Sequence, residues 1–415
     1  MRYSFLFCMY FLISSLQAQQ TFTIEECENQ FLKNNLLLVA EQFNVDASNA
    51  AIIQAKVWDN PYVSGEINIY NPNNQQYFDV GTAGQKAFAI QQLIYLSGKR
   101  HNEIALAKTN SAMAQLQFED ALRNLRASLK QSFYTIYFDS RKIDITSKQL
   151  SNLDSVIQAY NVQALKGNVP MKDLVRLQSL YFSLKNDKTI LVQNLTDEMQ
   201  KLKVLTGQST DIVPIVSNLD KYFSAKKIET LSEDSLIKMA AENRPDYLLA
   251  LKNIESNEFN LRLQKAIARP DLTLGTAYDQ RGGAFNNQIN LTFGMPLPVW
   301  NINKGNIKIA EIQVKQAKTL ENYALLQLKN EVSATYKKWI EANNNYQFLS
   351  KSNTVSFEQV YQGVMYNFKK QNITILEFTD FMESYNQSIQ NFNEINKVLI
   401  LSSEELNKAL NKQVF

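Results

Sequence analysis

Apolar residues recur at every seventh position through two long stretches of this 415-residue chain. The first series is Leu122, Leu129, Ile136, Ile143, Leu150 and Ile157, and the second is Leu325, Val332, Trp339 and Tyr346. Such a repeat aligns apolar side chains along one seam of an α-helix, as in coiled coils. Each series is followed by a returning one: Leu177, Leu184 and Leu191 in the first half, and Phe378, Tyr385, Phe392, Leu399 and Leu406 in the second. The pattern predicts two long helical hairpins, over about 97–206 and 303–411.

The predicted helices are long for a chain of this size. An uninterrupted helix over 99–164 would measure about 100 Å, whereas a compact chain of this length has a radius of gyration of about 21 Å. We therefore expect the hairpins to protrude from any compact body. The alternative is an ordinary helical bundle, which would require interruptions of the helices, and 146–148 and 350–354 are the places for them.

Four short segments alternate between apolar and polar residues, which is typical of β-strands. They lie at about 61–70, 87–96, 270–278 and 287–298. Their length fits a tilted membrane strand, but four strands cannot close a barrel in lipid. Two copies would supply eight strands and three copies twelve, and the pattern does not choose between them. The alternative to a membrane barrel is a soluble protein in which the four strands form two β-hairpins packed on the helices.

The two halves of the sequence match each other at an offset of about 204 to 209 residues. Each half shows the order helix, strand, strand, long helical hairpin. We assign the first structural repeat to 19–207, a linker to 208–229 and the second repeat to 230–415. Thr23 and Ser232 are the expected helix N-caps. The fold class is mainly α with a small β part.

The first residues have the order of a secretory signal peptide. Arg2 precedes an apolar run over 5–13, and Ala18 supplies a small residue before the expected cleavage point, so we assign a signal peptide to 1–18. Cys8 would be removed with it, and Cys27 would remain as a single thiol. We therefore expect neither a disulfide nor an N-terminal lipid on the mature chain.

Composition narrows the function classes. There are 43 Lys and Arg against 40 Asp and Glu, a net charge of +3, which gives no reason to expect nucleic acid as a partner. With His101 as the single histidine and two cysteines, we expect no metal or cofactor site. The phosphate-loop, HExxH and nucleophile-elbow motifs do not occur, so we expect no enzymatic activity.

Several local motifs accompany the duplication. Asn60-Pro61 and Arg269-Pro270-Asp271 open the first strand of each half, and the segments 91–100 and 295–305 join the second strand to the long helix. With the duplicated order, these motifs resemble the TolC-type outer membrane efflux protein family over the mature chain. The two junctions look like those of its heavy-metal branch, among the channels that serve resistance-nodulation-division (RND) efflux.

The resemblance implies a homotrimer in the outer membrane of a Gram-negative bacterium. Its twelve strands would form one β-barrel in contact with outer-membrane lipid, above an α-helical coiled-coil tunnel in the periplasm. The channel would be the passive exit duct of a tripartite pump, with an inner-membrane RND transporter and a periplasmic adaptor, or membrane fusion protein, as partners. Divalent heavy-metal cations are the preferred substrate, and drugs or type I protein secretion are alternatives. A periplasmic coiled-coil scaffold or adaptor without a pore is the alternative from another class.

The resemblance also implies two sites. The hairpin turns Gly167-Asn168-Val169-Pro170 and Gln371-Asn372-Ile373-Thr374 match the tips that dock the adaptor. Gln371 stands where glycine is usual, so that turn is expected to be less sharp or differently capped. Glu377 and Asp380 match carboxylates that line the periplasmic gate. The alternatives are that the turns merely close the hairpins and that the carboxylates form a solvated face.

Overall fold

The computed structural model describes residues 20–217, 219–223, 232–282, 284–351 and 357–415. The signal peptide assigned to 1–18 lies outside the described residues. The chain forms two compact units. The helical unit takes the described residues of Met1–Leu37, Arg123–Leu236 and Val332–Phe415, and the sheet unit takes those of Leu38–Leu122 and Ile237–Glu331. Each unit therefore combines segments from both sequence repeats.

Helices make up most of the described chain, in agreement with the expected fold class. They are α1 (Ile24–Asn34), α2 (Leu36–Lys56), α3 (Lys99–Leu165), α4 (Met171–Thr206), α5 (Asp220–Phe223), α6 (Glu233–Asn243), α7 (Pro245–Ile267), α8 (Lys304–Lys351), α9 (Phe357–Lys369) and α10 (Ile375–Leu410). None of the described helices combines the length and the apolar character needed to cross a membrane.

The long helix α3 runs for 67 residues without a break. The break at 146–148 that an ordinary helical bundle would require does not occur, as the prediction of a long helix implies. Thr146 and Ser147 donate hydrogen bonds from their hydroxyls to the carbonyls one turn earlier, of Lys142 at 2.9 Å and Ile143 at 2.6 Å. These bonds satisfy the hydroxyls within the helix, so the polar residues do not end it. In the second half α8 ends at Lys351 and α9 begins at Phe357, and 352–356 lie outside the described residues.

Both expected N-caps form the hydrogen bonds of a cap. The backbone N–H of Glu26 donates to the Thr23 hydroxyl, and the Glu26 carboxylate accepts from the Thr23 N–H at 2.8 Å. This reciprocal pair is a capping box. At the start of α6, the N–H of Ser235 donates to the Ser232 hydroxyl at 3.2 Å. The corresponding positions of the two halves thus start their helices in a similar way.

Side chains from both repeats share one core in the helical unit. Helices α3, α4, α9 and α10 contribute Leu150, Leu153, Val156, Leu177, Leu180, Leu184, Tyr361, Met365, Phe368, Phe378, Met382 and Tyr385. The rings of Phe368 and Phe378 stack with their centroids 3.9 Å apart. Leu150, Leu177 and Phe378 belong to the predicted seams and are buried, which confirms the seven-residue pattern in this region.

Partly buried charges also link α3 to α10. Lys142 lies 2.6 Å from Glu394, and Lys397 lies 3.3 Å from Glu394 and 3.2 Å from Asp139. Burial raises the pKa of the Glu394 carboxyl, but the hydrogen bond from Lys142 and the charge of Lys397 outweigh burial, so the pKa lies below its usual value. The group therefore stays ionised and its ion pairs stay formed at neutral pH.

The linker between the repeats is tethered to the helical unit through α5. The buried Tyr222 hydroxyl donates to the Glu404 carboxylate at 2.5 Å and lies 3.0 Å from the Tyr134 hydroxyl. Lys130 donates to the other Glu404 oxygen at 2.9 Å. A carboxylate that is almost completely buried is thus matched by one cation and a hydroxyl, as buried charges require. No short motif in the sequence predicts this tether.

The strands are β1 (Gln20–Phe22), β2 (Tyr62–Ile67), β3 (Tyr70–Asn71), β4 (Gln76–Tyr77), β5 (Gln85–Ile94), β6 (Ile212–Pro214), β7 (Leu272–Arg281) and β8 (Phe285–Gly294). Strands β2, β5, β7 and β8 form one antiparallel sheet in that order. Strand β2 is shorter than the expected segment, since the chain beyond Ile67 enters a small hairpin of β3 and β4. Strands β1 and β6 form a separate parallel pair.

An ion pair fixes the junction between the sheet and α3. Lys99, the first residue of α3, lies 2.6 Å from Asp271 and donates to the Arg269 carbonyl at 2.8 Å. The other Asp271 oxygen accepts the N–H of Leu96 at 3.0 Å. Asp271 and Arg269 belong to one of the motifs that carry the family resemblance, so that motif has a structural role: it joins the start of β7 to the end of β5.

Gly275 lies where β7 approaches both of its neighbours closely. A Cβ added there would lie 2.4 Å from the Ile90 carbonyl oxygen and 2.9 Å from the Thr292 hydroxyl oxygen. At Gly294 the nearest atom to such a Cβ, on Thr273, is 3.9 Å away. The central strand therefore requires glycine at position 275 and tolerates a side chain at position 294.

We expect Gly275→Ala to lower the free energy of unfolding by about 1 to 3 kcal/mol, since the methyl group forces the strands apart. Gly294→Ala is the matched control and should change it by less than about 0.5 kcal/mol. Urea denaturation of the detergent-solubilised protein, followed by circular dichroism, measures both. Equal stability of the two variants would contradict the close approach.

Candidate functional site

One face of the four-stranded sheet is apolar and exposed. The strand register places four side chains of each rung on the same face; one such rung is Val63, Ile90, Thr276 and Leu291. We call this the apolar face, and its members include Val63, Ile67, Phe88, Ile90, Leu274, Tyr278, Ile289, Leu291 and Phe293. On the edge strand β8, Ile289, Leu291 and Phe293 are 80, 77 and 80% exposed. The expected alternative of strands packed on the helices does not fit this exposure, because a packed sheet buries its apolar side.

The opposite face is mostly polar or small. It carries Ser64, Glu66, Ala87, Ala89, Gln91, Ala277, Asp279, Gln288, Asn290 and Thr292, and we call it the polar face. A sheet that is apolar on one face and polar on the other has the pattern of membrane strands around an aqueous lumen. A large exposed apolar patch also marks a membrane or protein contact. The two faces together are the first candidate functional surface.

The sheet has two open edges. Among the described strands, β2 pairs only with β5 and β8 pairs only with β7. An edge strand presents backbone N–H and carbonyl groups that can pair with another strand. In a hydrocarbon environment such groups must be paired. A further strand at each edge is therefore required wherever this sheet meets lipid.

The first predicted tip closes with a left-handed residue. Gly167 has a φ of +75° and follows the end of α3. Its N–H donates to the Ala164 carbonyl at 3.0 Å, and the N–H of Asn168 donates to the Gln163 carbonyl at 2.9 Å. This is the Schellman arrangement of a helix C-terminus. Pro170 then caps α4 without a side-chain hydrogen bond.

The second tip closes in the same way, although it lacks glycine. Gln371 has a φ of +62°. Its N–H donates to the Phe368 carbonyl at 2.9 Å, and the N–H of Asn372 donates to the Asn367 carbonyl at 2.9 Å. The expectation of a less sharp or differently capped turn is therefore wrong: the two backbone hydrogen bonds hold the left-handed conformation even with a side chain present.

The two tips also match in exposure. Val169 and Ile373 are half-buried, while Gly167, Asn168, Pro170, Gln371, Asn372 and Thr374 are exposed. A groove of about 730 Å³ lies beside the tips. Its wall includes Val156, Tyr160, Val162, Val169, Phe368 and Gln371. Asn168, Val169 and Gln371, from the two predicted tips, thus line one partly apolar groove.

The two predicted gate carboxylates have different surroundings. Glu377 accepts the Thr374 N–H at 2.7 Å and the Thr374 hydroxyl at 2.8 Å, which completes a capping box at the start of α10. These hydrogen bonds hold the pKa of the Glu377 carboxyl below its usual value. Asp380 is exposed and has no ion pair or hydrogen bond with the described residues. The Glu377 carboxylate thus caps α10, whereas the Asp380 carboxylate is exposed to solvent.

The described residues hold no group of three or more histidine, cysteine, aspartate or glutamate side chains placed to bind a metal ion. Burial, followed by the charges of Glu26 and Glu28, raises the pKa of the Cys27 thiol to about 12. A thiol with this pKa stays protonated at neutral pH and is a poor nucleophile and a poor metal ligand. Cys27 therefore behaves as a small buried apolar residue.

Exchanging the residues with positive φ in the two tips, Gly167 and Gln371, tests the conformation of the turns. Gln371→Gly should raise the free energy of unfolding by about 1 kcal/mol, since glycine adopts a positive φ without steric cost, and Gly167→Gln should lower it by a similar amount. The control is Gly363→Gln in the interior of α9, where the same change should stabilise the helix. Chemical denaturation gives the three values. The same sign for Gly167→Gln and Gly363→Gln would contradict the left-handed turn.

The Glu377 cap predicts a dependence on pH. Since the pKa is lower in the folded state, the carboxylate stabilises the fold above the ordinary value of 4.5, and this contribution is lost as the pH falls through the folded-state pKa. The difference in thermal midpoint between the wild type and Glu377→Gln should therefore shrink on acidification. Asp380→Asn, which removes a carboxylate without hydrogen bonds to the described residues, should show a smaller change. A difference for Glu377→Gln that is independent of pH would contradict the assignment.

Comparisons with known proteins agree with this geometry. The profile of the family described as Outer membrane efflux protein matches residues 28–208. The cobalt-zinc-cadmium resistance protein CzcC of Cupriavidus metallidurans is 21% identical over 371 residues, which cover 88% of this chain and 84% of that protein.

Two solved structures share the fold. A membrane protein from Pseudomonas aeruginosa is 14% identical, with a TM-score of 0.75 and coverage of 93% of this chain and 92% of that chain. CusC, described in terms of transmembrane channel formation, is 16% identical, with a TM-score of 0.74 and coverage of 93 and 91%. Both likenesses cover the long helical hairpins and the strands. Residues 28–208 thus match the Outer membrane efflux protein family, and the described chain has the fold of these two solved structures.

Proposed function

We propose that the chain is the passive exit duct of a tripartite RND efflux pump and that it works as a homotrimer. The observation that carries this proposal is the four-stranded sheet, with its exposed apolar face, its polar opposite face and its two open edges. In a barrel, the apolar face contacts outer-membrane lipid and the polar face lines the lumen. Both edges are then satisfied by neighbouring copies.

Three copies fit the proposal better than two. Strand β2 of one copy would pair with β8 of the next, so two copies give eight strands and three give twelve. A barrel of about eight strands is just wide enough to be filled by its own side chains. Twelve strands whose inner face is mostly polar or small leave an aqueous passage. A duct needs such a passage.

The tips are the proposed contact with a periplasmic adaptor, which in turn joins an inner-membrane RND transporter. Gly167, Asn168, Val169 and Pro170 form one turn, and Gln371, Asn372, Ile373 and Thr374 form the other. Both are closed by backbone hydrogen bonds and therefore present a defined shape. The groove beside them offers apolar surface for side chains of a partner helix. Preformed shape lowers the entropic cost of docking.

Asp380 is the proposed gate residue. In a symmetric trimer, three copies of this exposed carboxylate would form a ring of like charge at a constriction, which attracts cations and repels anions. The Glu377 carboxylate caps the start of α10. It would therefore hold in place the first turns of the helix, which carry Asp380. The two residues would thus have a charge role and a positioning role.

Divalent heavy-metal cations are the proposed substrate. The relative from Cupriavidus metallidurans is named for resistance to cobalt, zinc and cadmium. A duct for such ions needs no binding site, because a tightly held ion would not leave. The alternative substrates are drugs and secreted proteins.

Cell fractionation and bilayer recordings test the duct. The protein should appear in outer membranes as a trimer that dissociates on heating, and the purified trimer should open single channels in planar lipid bilayers. Asp380→Asn should raise the conductance and weaken block by divalent cations, since it removes the ring of charge. Asp154→Asn, on an exposed part of α3, is the control and should leave both unchanged. A soluble periplasmic monomer without channel activity would overturn the duct, and unchanged conductance in Asp380→Asn would remove the gate assignment.

For the substrate, a deletion strain should become sensitive to zinc, cobalt or cadmium. Sensitivity to organic drugs alone would favour drug efflux, and loss of a secreted protein would favour protein export.

A further inference from the structure

We propose that Glu66, Asp279 and Arg281 set the ion preference at the mouth of the channel distal to the helices. This inference rests on the proposed trimeric barrel, in which the polar face lines the lumen. It assigns a second charged ring, separate from Asp380, to the sheet unit.

The strand register brings the two carboxylates onto one rung. Glu66 pairs with Ala87, Ala87 with Asp279, and Asp279 with Gln288, so this rung crosses all four strands on the polar face. Arg281 lies on the next rung of the same face. Its Nε is 3.1 Å from an Asp279 oxygen, and its terminal nitrogen is 3.9 Å from Glu66. Gln85 donates to the other Glu66 oxygen at 2.7 Å.

This rung lies at the end of the sheet away from the helices. Strand β5 enters at Gln85 and leaves at Ile94 towards α3, so the helix-proximal end of β5 is the Ile94 end. Glu66 and Asp279 both lie opposite Ala87, the third residue from the other end. The connections between β2 and β5 and between β7 and β8 also lie there. In the proposed barrel this is the outer mouth.

The remainder of the polar face carries no charge in the four described strands. The rungs closer to the helices present Ser64, Ala89, Ala277 and Asn290, and then Tyr62, Gln91, Gly275 and Thr292. Lys86 is the remaining charged residue of these strands, and its rung with Ile67 and Gln280 places it on the apolar face. The mouth is therefore the place on this lining where a passing ion meets fixed charge.

The charges at the mouth do not cancel. Two carboxylates and one guanidinium leave one excess negative charge per copy, and three copies would carry three. Arg281 is closer to Asp279 than to Glu66, which leaves Glu66 as the less neutralised group. Fixed charge acts over a Debye length of about 8 Å at physiological ionic strength. A ring of excess carboxylates raises the local concentration of cations and lowers that of anions.

Reversal potentials of the purified trimer in planar bilayers, measured across a potassium chloride gradient, test the ring. The wild type should favour potassium over chloride. In Glu66→Gln combined with Asp279→Asn, three uncompensated arginines remain, and the preference should fall or reverse. A change of about 1 kT in the potential at the mouth alters the ratio of cations to anions there by about sevenfold. Arg281→Gln should shift the preference the opposite way, because it leaves both carboxylates unopposed.

Lys86→Gln is the matched control, since it removes a charge at the same end of the sheet but on the opposite face. It should change the selectivity less than any of the three lumen variants. Channels of wild-type selectivity in both Glu66→Gln/Asp279→Asn and Arg281→Gln would overturn the ring and leave the duct intact. A wild-type protein that forms no channels would instead overturn the proposed duct. Since the carboxylate and guanidinium variants predict opposite shifts, failure of one variant to assemble still leaves the other to decide.

Discussion

The unsatisfied edges of the four-stranded sheet are the constraint on which the proposed assembly depends. The sheet exposes an apolar face and ends in β2 and β8, each of which has one strand partner in the described chain. Water can satisfy such edges, but lipid cannot, so the same residues that make the sheet suited to a membrane make a single copy incomplete there. Adding copies solves both problems at once: it pairs the edges and encloses the polar face. The oligomer would thus follow from hydrogen bonding as much as from surface complementarity.

The helical unit shows how a duplicated sequence becomes one folded body. The core of this unit takes Leu150, Leu177 and Leu184 from the first half and Phe368, Phe378 and Tyr385 from the second, so neither half packs alone. Ion pairs between α3 and α10 add a second connection between the halves through Lys142, Lys397 and Glu394. The Tyr222 to Glu404 hydrogen bond then attaches the linker to the same body. Each of these contacts joins residues that lie far apart in the sequence.

That separation explains what the sequence could and could not predict. Periodicity reports which side of an element is apolar, so the seams that contain Leu150 and Phe378 and the alternation of Ile289, Leu291 and Phe293 were predictable. The caps at Thr23 and Ser232 were also predictable, because they depend on residues within one turn. Composition does not report how a polar residue is satisfied: 146–148 was a candidate place for a break in the alternative bundle, but Thr146 and Ser147 bond within their own helix. The partners of Asp271 and Glu404 could not be predicted from the sequence for a related reason, because only tertiary packing brings these residues together. The gate and docking roles are implied by the resemblance and stay predictions, whereas the capping box of Thr374 and Glu377 is a local feature of α10.

The near identity of the two hairpin turns has a consequence for symmetry. Gly167 and Gln371 close their turns with the same pair of backbone hydrogen bonds while presenting different side chains. A ring of three copies would display six turns of one shape in two alternating chemistries. A binding protein that contacts the backbone of the turns would meet a surface with nearly sixfold symmetry. One that contacts their side chains would meet a surface with threefold symmetry. The symmetry that a binding protein meets would therefore depend on whether it contacts the backbone or the side chains of these turns.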